Sequence, residues 1–253
     1  MQLASKVVAV TGAGRGLGRA IAAAFAAKGA QVAALDIHAE DLRETCSQCE
    51  AQGVRARPYQ ADVSSESHVA ASLDAMVADF GRLDILVNNA GITKDALLVK
   101  VQDGAVVGKM SLAQWQAVLD VNLTGVFLCA REAAERMIRL GNGGLIINIS
   151  SISREGNVGQ TNYSATKAGV AAMTVVWAKE LARYGIRSAA IAPGFCATDI
   201  LAAMKPELVT RVTSMVPLRR LGQPAEIAGT AIYIAENDFL SGRVIDVDGG
   251  LRL

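Results

Sequence analysis

The 253-residue chain has almost no excess of either charge: 25 basic residues stand against 24 acidic ones, for a formal net charge of +1. Both signs are interspersed, so neither a nucleic-acid footprint nor a membrane-seeking face is expected. No apolar run reaches the length of a membrane span. Met1-Gln2-Leu3-Ala4-Ser5 leads directly into a strand-like run, which leaves no room for a signal peptide. Linkers, low-complexity segments and internal repeats are also missing, so the expectation is one domain over residues 1–253 in a soluble, cytoplasmic protein. Metal-ligand spacing is lacking too. Cys46 and Cys49 form a C-x-x-C, but inside a helical stretch, and Cys129, Cys196, His38 and His68 show no paired spacing. Four reduced thiols and no metal centre are predicted, in keeping with a cytoplasmic address.

What the chain does have is an alternation. Strand-like runs at 6–10, 31–35, 54–60, 83–88, 145–149, 187–192 and 243–247 alternate with helical stretches at 17–28, 40–52, 66–80, 112–140, 162–184 and 224–235. About half of the residues (51%) are apolar, with small ones prominent, as suits a sheet covered on both faces. The pattern predicts an α/β fold: a single-domain, Rossmann-type, doubly wound parallel sheet of seven strands with right-handed crossovers. Ligands of such sheets bind at the carboxyl ends of the strands.

The residue clusters fall at those ends. Thr11-Gly12-Ala13-Gly14-Arg15-Gly16-Leu17-Gly18 is a glycine-rich strand-to-helix turn, able to bring backbone amides against a pyrophosphate. Asp36 and Ile37 end the second strand, where an acidic residue meets adenosine ribose hydroxyls. Asp36 is equally placed to cap the next helix, and the two readings are compatible. A carboxylate there also disfavours a 2′-phosphate, since like charges about 4 Å apart cost about 4 kcal/mol at an effective dielectric of 20. NAD(H) is favoured on this ground; NADP(H) stays open because Arg15 offsets part of the repulsion. Asp62-Val63 follows the third strand and Asn88-Asn89-Ala90-Gly91 the fourth. Both are ordinary turn chemistry one at a time, and a shared crevice explains them together.

Tyr163 and Lys167 lie four apart on one helix face. An ammonium near a phenol favours phenolate, and lowering the pKa by about 3 units takes about 4 kcal/mol. Ser150 lies thirteen residues before Tyr163, and this interval selects it over Ser151 and Ser153. The simpler readings are a buried tyrosine with a lysine passing it and a serine that ends its strand.

These motifs, in this order, resemble the short-chain dehydrogenase/reductase family over essentially the whole chain. The resemblance implies that Ser150, Tyr163 and Lys167 are catalytic, with Asn122 as the fourth member holding a water connected to Lys167. It also implies nicotinamide contacts from Pro193, Gly194 and Thr198. Within the family, the segments after Gly91, before Tyr163 and at Asp246-Val247-Asp248-Gly249-Gly250 are most similar to 3-oxoacyl-(acyl carrier protein) reductases of fatty acid metabolism. The implied substrate is a small molecule or an acyl thioester, and the implied assembly a homotetramer. Three features depart from that subgroup: Asp36, a Tyr at 184 where a basic residue is common (with Arg183 and Arg187 nearby), and an insertion at 99–110. Val99–Lys109 surrounds Asp103-Gly104, a hairpin signal, and forms either a flap at the substrate mouth or a surface insertion. Residues 195–217 read as an active-site lid. The alternatives are an NAD-dependent dehydrogenase of a sugar, cyclitol or steroid, and a non-catalytic dinucleotide-binding scaffold.

Overall fold

The computed structural model describes residues 1–198 and 206–252. Its strands are β1 (Val7–Thr11), β2 (Gln31–Asp36), β3 (Ala56–Gln60), β4 (Ile85–Asn88), β5 (Val99–Gln102), β6 (Ala105–Lys109), β7 (Gly144–Ile149), β8 (Ile186–Pro193) and β9 (Val244–Val247). All but β5 and β6 form one parallel sheet in the order β3-β2-β1-β4-β7-β8-β9. The order reverses between β1 and β4, and a crevice opens at such a switch point.

The helices are α1 (Gly16–Ala27), α2 (Ala39–Glu50), α3 (Glu66–Phe80), α4 (Leu112–Leu119), α5 (Gly125–Leu140), α6 (Thr161–Glu180), α7 (Pro206–Met215) and α8 (Pro224–Glu236). Strand alternation divides the core. Val8 and Val10 of β1, Ile85 and Val87 of β4, and Leu145 and Ile147 of β7 pack with Ile21 and Phe25 of α1, Leu42 of α2 and Ile227 of α8. Ala9, Leu86 and Ile146 point the other way, onto Leu73 and Met76 of α3 and Leu128 and Met137 of α5. Each fully buried large aliphatic side chain contributes about 1.5–3 kcal/mol. The four cysteines are buried and free. Burial pushes the thiol of Cys46 up to about 12 and that of Cys49 up to about 11, so the C-x-x-C is a pair of inert helix thiols.

Two stretches differ from the sequence expectation, and a third, the insertion, follows it. The helix predicted over 112–140 is α4 and α5 joined by a π-helical turn, Asp120–Thr124, and such turns mark functional positions. The predicted lid contains α7, while Ile200, Leu201 and Met204 of that prediction lie outside the described residues. Val216 forms a small separate core with Ile152 and Leu251. The insertion does fold as a hairpin: β5 pairs antiparallel with β6, and Asp103 and Gly104 both take positive φ, 50° and 78°, as a type I′ turn requires. Almost every residue of the two strands is exposed.

At the opposite end of the sheet, Asp84 joins β1 to β4. Its carboxylate accepts from Val7 N at 2.9 Å, from Lys6 Nζ at 3.2 Å and from Arg82 Nε and Nη2 at 2.6 Å each. Burial opposes the charge, but the Arg82 fork, the Val7 N–H and Lys6 outweigh it and hold the carboxyl below its ordinary range. A depressed folded-state pKa stabilises the fold above the unfolded value of about 3.9, and the contribution disappears as pH falls through the folded value. Asp84→Asn is therefore expected to lower the unfolding free energy by about 3 kcal/mol at pH 7. The gap from the parent protein should narrow below about pH 4, as read by urea titration across pH.

Candidate active site

A cleft of about 520 Å³ opens at the carboxyl ends of the strands. Fourteen of the predicted residues line it: Gly12, Arg15, Gly16, Leu17, Asp36, Ile37, Asp62, Val63, Asn89, Ala90, Gly91, Tyr163, Lys167 and Thr198. Leu35, His38, Ala61, Ile92, Thr93, Val121 and Ile149 join them and were not anticipated. Ile92 and Thr93 directly continue the Asn-Asn-Ala-Gly run. Val121 is brought in by the π turn, which has no clear sequence mark.

The glycine loop is shaped for a pyrophosphate. Gly12 has a φ of 63°. A Cβ on Gly18 would lie 2.0 Å from the carbonyl oxygen of Gly12, so Gly18 underlies the loop without lining the cleft. The first turn of α1 has neither a side-chain cap nor an acidic residue, which leaves its N–H groups and dipole available to an anion. Asp36 braces the loop: Oδ2 accepts from Gly14 N at 3.0 Å and Oδ1 from His38 N at 3.1 Å. Asp36 does not cap α2: its bond goes to His38, the N-cap residue, and α2 has no side-chain cap. Asp62 likewise shapes its own turn, accepting from Ser64 N and Oγ at 2.9 and 2.7 Å. Pro193 and Gly194 do not line the cleft, and Gly194 N donates to Val247 O at 2.9 Å.

At the other end of the cleft, Lys167 is buried, and its Nζ donates to Ile149 O at 2.7 Å and lies 5.5 Å from the Tyr163 ring centroid. Burial pushes the Lys167 pKa down to about 8. Tyr163 moves opposite to the sequence expectation: burial raises its pKa, a hydrogen bond with Ser151 lowers it and the Asp95 charge raises it further. Lys167 Nζ is engaged by the Ile149 carbonyl, and burial, the largest influence on Tyr163, holds its phenol above the ordinary tyrosine range.

The serine is also reassigned. The thirteen-residue interval selects Ser150, yet the hydroxyl that reaches Tyr163 is that of Ser151. Ser150 Oγ donates instead to the Lys167 carbonyl at 2.8 Å. Ser150 N still pairs with Ile191 O at 2.7 Å. The chain thus remains extended past β7, and successive side chains face opposite ways. Ser150 turns toward α6; Ser151 opens the short turn Ile152–Glu155, its Oγ accepting from Ser153 N at 3.1 Å. Strand parity could have revealed this. Asn122 is fully buried in the π turn, with Nδ2 donating to Ile92 O at 2.9 Å and Oδ1 accepting from Ile92 N at 2.8 Å.

A doubly wound sheet with a glycine cradle at its switch point and a Tyr, Lys and Ser at the far wall defines a dinucleotide-linked redox enzyme. The chain belongs to the short chain dehydrogenase family, whose profile matches residues 6–208. It is 41% identical over 254 residues to 3-oxoacyl-[acyl-carrier-protein] reductase FabG of Thermotoga maritima, covering 99% of each chain. The 3-oxoacyl-[acyl-carrier-protein] reductase of Synechocystis is also 41% identical over 254 residues, with 98% of each chain covered. A short-chain type dehydrogenase/reductase structure from Mycobacterium marinum matches with a TM-score of 0.89 at 33% identity, over 98% of this chain and 96% of that one. The protein is an oxidoreductase of a family that uses nicotinamide cofactors. Among the described residues no helix is long and apolar enough to cross a membrane.

Gly18→Ala tests the cradle. With a Cβ forced against the Gly12 carbonyl, overpacking of about 3 kcal/mol is expected to weaken dinucleotide binding by roughly 100-fold. Calorimetric titration of the cofactor into the variant measures this directly.

Proposed function

We propose that the protein is an NAD(H)-linked oxidoreductase that interconverts a 3-oxoacyl thioester, or a related β-keto compound, and its 3-hydroxy counterpart. The observation that carries this reading is the juxtaposition of Tyr163, Ser151 and Lys167 at one wall of the cleft. When bound, a nicotinamide cofactor would supply or accept the hydride. Ser151 hydrogen-bonds the substrate oxygen. Tyr163 donates its proton to that oxygen during reduction and recovers it during oxidation. A phenol whose pKa is raised by burial is poised as the acid, which favours ketone reduction near neutral pH. Lys167 would hold the nicotinamide ribose, while Ser150 anchors α6 through the Lys167 carbonyl and Asn122 keeps Ile92 against the same site. Thr198, whose methyl is 3.8 Å from a Cβ position built on Gly16, would help hold the phosphates, and Pro193 and Gly194 would support the nicotinamide end.

Asp36 supports NAD(H). Its carboxylate is fixed by two N–H groups on the cleft wall, where a 2′-phosphate would meet a charge unable to swing away. The 3-oxoacyl substrate is supported by the likeness to the two reductases. Arg187 does not replace the basic residue missing at 184: its guanidinium donates to the carbonyls of Ile234, Ala235 and Leu240 and pairs with Asp238. Arg183, stacked on the Tyr184 ring at 5.2 Å, is the exposed basic group at that edge. Exposed Phe127 and Ile138 on α5 and Val175 and Val176 on α6 support a homotetramer built on those helices.

Two experiments test the reading. Purified protein with acetoacetyl-CoA should oxidise NADH and spare NADPH. The reverse preference would overturn the cofactor assignment, and cofactor binding without turnover would redirect the substrate search to another secondary alcohol. In steady-state kinetics, Tyr163→Phe should remove nearly all turnover with cofactor affinity retained. Ser151→Ala should lower kcat by roughly 100-fold, whereas Ser150→Ala should cost less than about 10-fold. Equal losses in the two serine variants would return the role to Ser150.

A further inference from the structure

Asp95 does not line the cleft, yet its segment is laced to the helix that carries Tyr163. Ile92 is clamped by Asn122 at one end of this segment. Ala96, at the other end, donates its N–H to Gly159 O at 2.9 Å and forms a parallel bridge with Gln160. Between them, the Lys94 carbonyl accepts from Nδ2 of Asn162, the residue before Tyr163, at 3.1 Å. Asp95 Oδ2 accepts from Gln160 Nε2 at 3.0 Å, and Asn157 Nδ2 donates to Gln160 Oε1 at 3.0 Å, so that amide is held from both sides. Gln160 is the N-cap residue immediately before α6, and α6 has neither a side-chain cap nor an acidic residue in its first turn. Asp95 thus brings to this helix N-terminus the anion its own sequence omits.

We propose that Asp95 is a positioning residue for proton transfer: through Gln160 it docks residues 92–98 onto the start of α6 and places a carboxylate at the N-terminus of the helix that carries Tyr163. This rests on reading Tyr163 as the acid–base group. Among the described residues, the titratable groups facing Tyr163 are Lys167 from its own helix and Asp95 from across the mouth. The α6 N-terminus and Lys167 favour phenolate, and a carboxylate opposes them. Asp95 is exposed, so water screens it and its effect on the phenol falls well short of that of a buried pair. Reduction requires the phenol form. Asp95 therefore extends ketone reduction toward alkaline pH and delays alcohol oxidation.

The test separates charge from latch. Asp95→Asn retains an oxygen for Gln160 and removes the charge, whereas Gln160→Ala retains the charge and breaks the latch. Phenolate absorbance, with the Tyr163→Phe titration subtracted, reads Tyr163 in the absence of substrate. Asp95→Asn should lower the Tyr163 midpoint with NADH affinity unchanged. Gln160→Ala should raise KM and leave the midpoint near that of the parent. An unchanged midpoint in Asp95→Asn overturns the proposal. Should unfolding precede the midpoint, the alkaline limb of ketone reduction decides, and an unshifted limb overturns it equally. Because the absorbance titration needs no substrate, failure of 3-oxoacyl thioesters to react would sink the substrate reading and leave this test intact.

Discussion

The structure depends on the seam between β1 and β4, where the strand order reverses. Thr11 Oγ1 accepts from the N–H groups of Asn89 and Ala90 at 3.0 and 3.1 Å and donates toward Val87 O at 3.4 Å. Asn89 returns the contact, with Nδ2 donating to the carbonyls of Thr11 and Gly12 at 3.1 and 3.0 Å. One hydroxyl and one amide thereby lock the glycine loop to the loop after β4, so closely that a Cβ on Gly12 would lie 2.8 Å from Ala90 Cα. Without this lock the strand ends would still be parallel, but the loops above them would have no common wall. The dinucleotide cleft is the space these interlocked loops leave open.

A second set of buried polar groups fixes α6, and with it the chemistry. Asn88 Nδ2 donates to Asn148 Oδ1, Asn148 Nδ2 to Thr174 Oγ1, and Thr174 Oγ1 to Val170 O, each at 2.9 Å. Ser150 and Lys167 add two bonds between the end of β7 and the same helix. An apolar contact tolerates sliding by a fraction of an ångström, whereas a buried amide chain loses its partners if the helix shifts. The register of α6 is therefore set by hydrogen bonds, and Tyr163 inherits its position from them. The same burial gives Lys167 its lowered pKa and Tyr163 its raised one. Positioning and proton affinity have a common origin.

Much of the fold was legible where one local signal decides one local outcome. The 66–80 helix starts after Ser65, whose Oγ accepts from His68 N, and stops before Gly81. Asp103-Gly104 alone announces the hairpin. The glycine loop, Asp36, Asn89 to Gly91, Tyr163 and Lys167 are likewise found from type, spacing and position at strand ends, because a doubly wound sheet brings all such ends to one side. The less legible features involve a partner far away in the chain. Whether Arg187 meets a carrier protein or the carbonyls in and after the last turn of α8 depends on packing more than forty residues downstream. The direction of the Tyr163 shift depends on burial and on Asp95, sixty-eight residues upstream.

The sequence by itself determined the doubly wound sheet, the glycine cradle and the Tyr163–Lys167 pair, since hydrophobic period, turn chemistry and helical spacing act over a few residues. Tertiary structure alone decided that Ser151 rather than Ser150 meets Tyr163, that the long helix bulges at Asn122, and that Asp95 reaches the start of α6. In each case the outcome turns on which way a side chain faces once remote segments pack. A one-residue change of parity in an extended strand end reverses that direction.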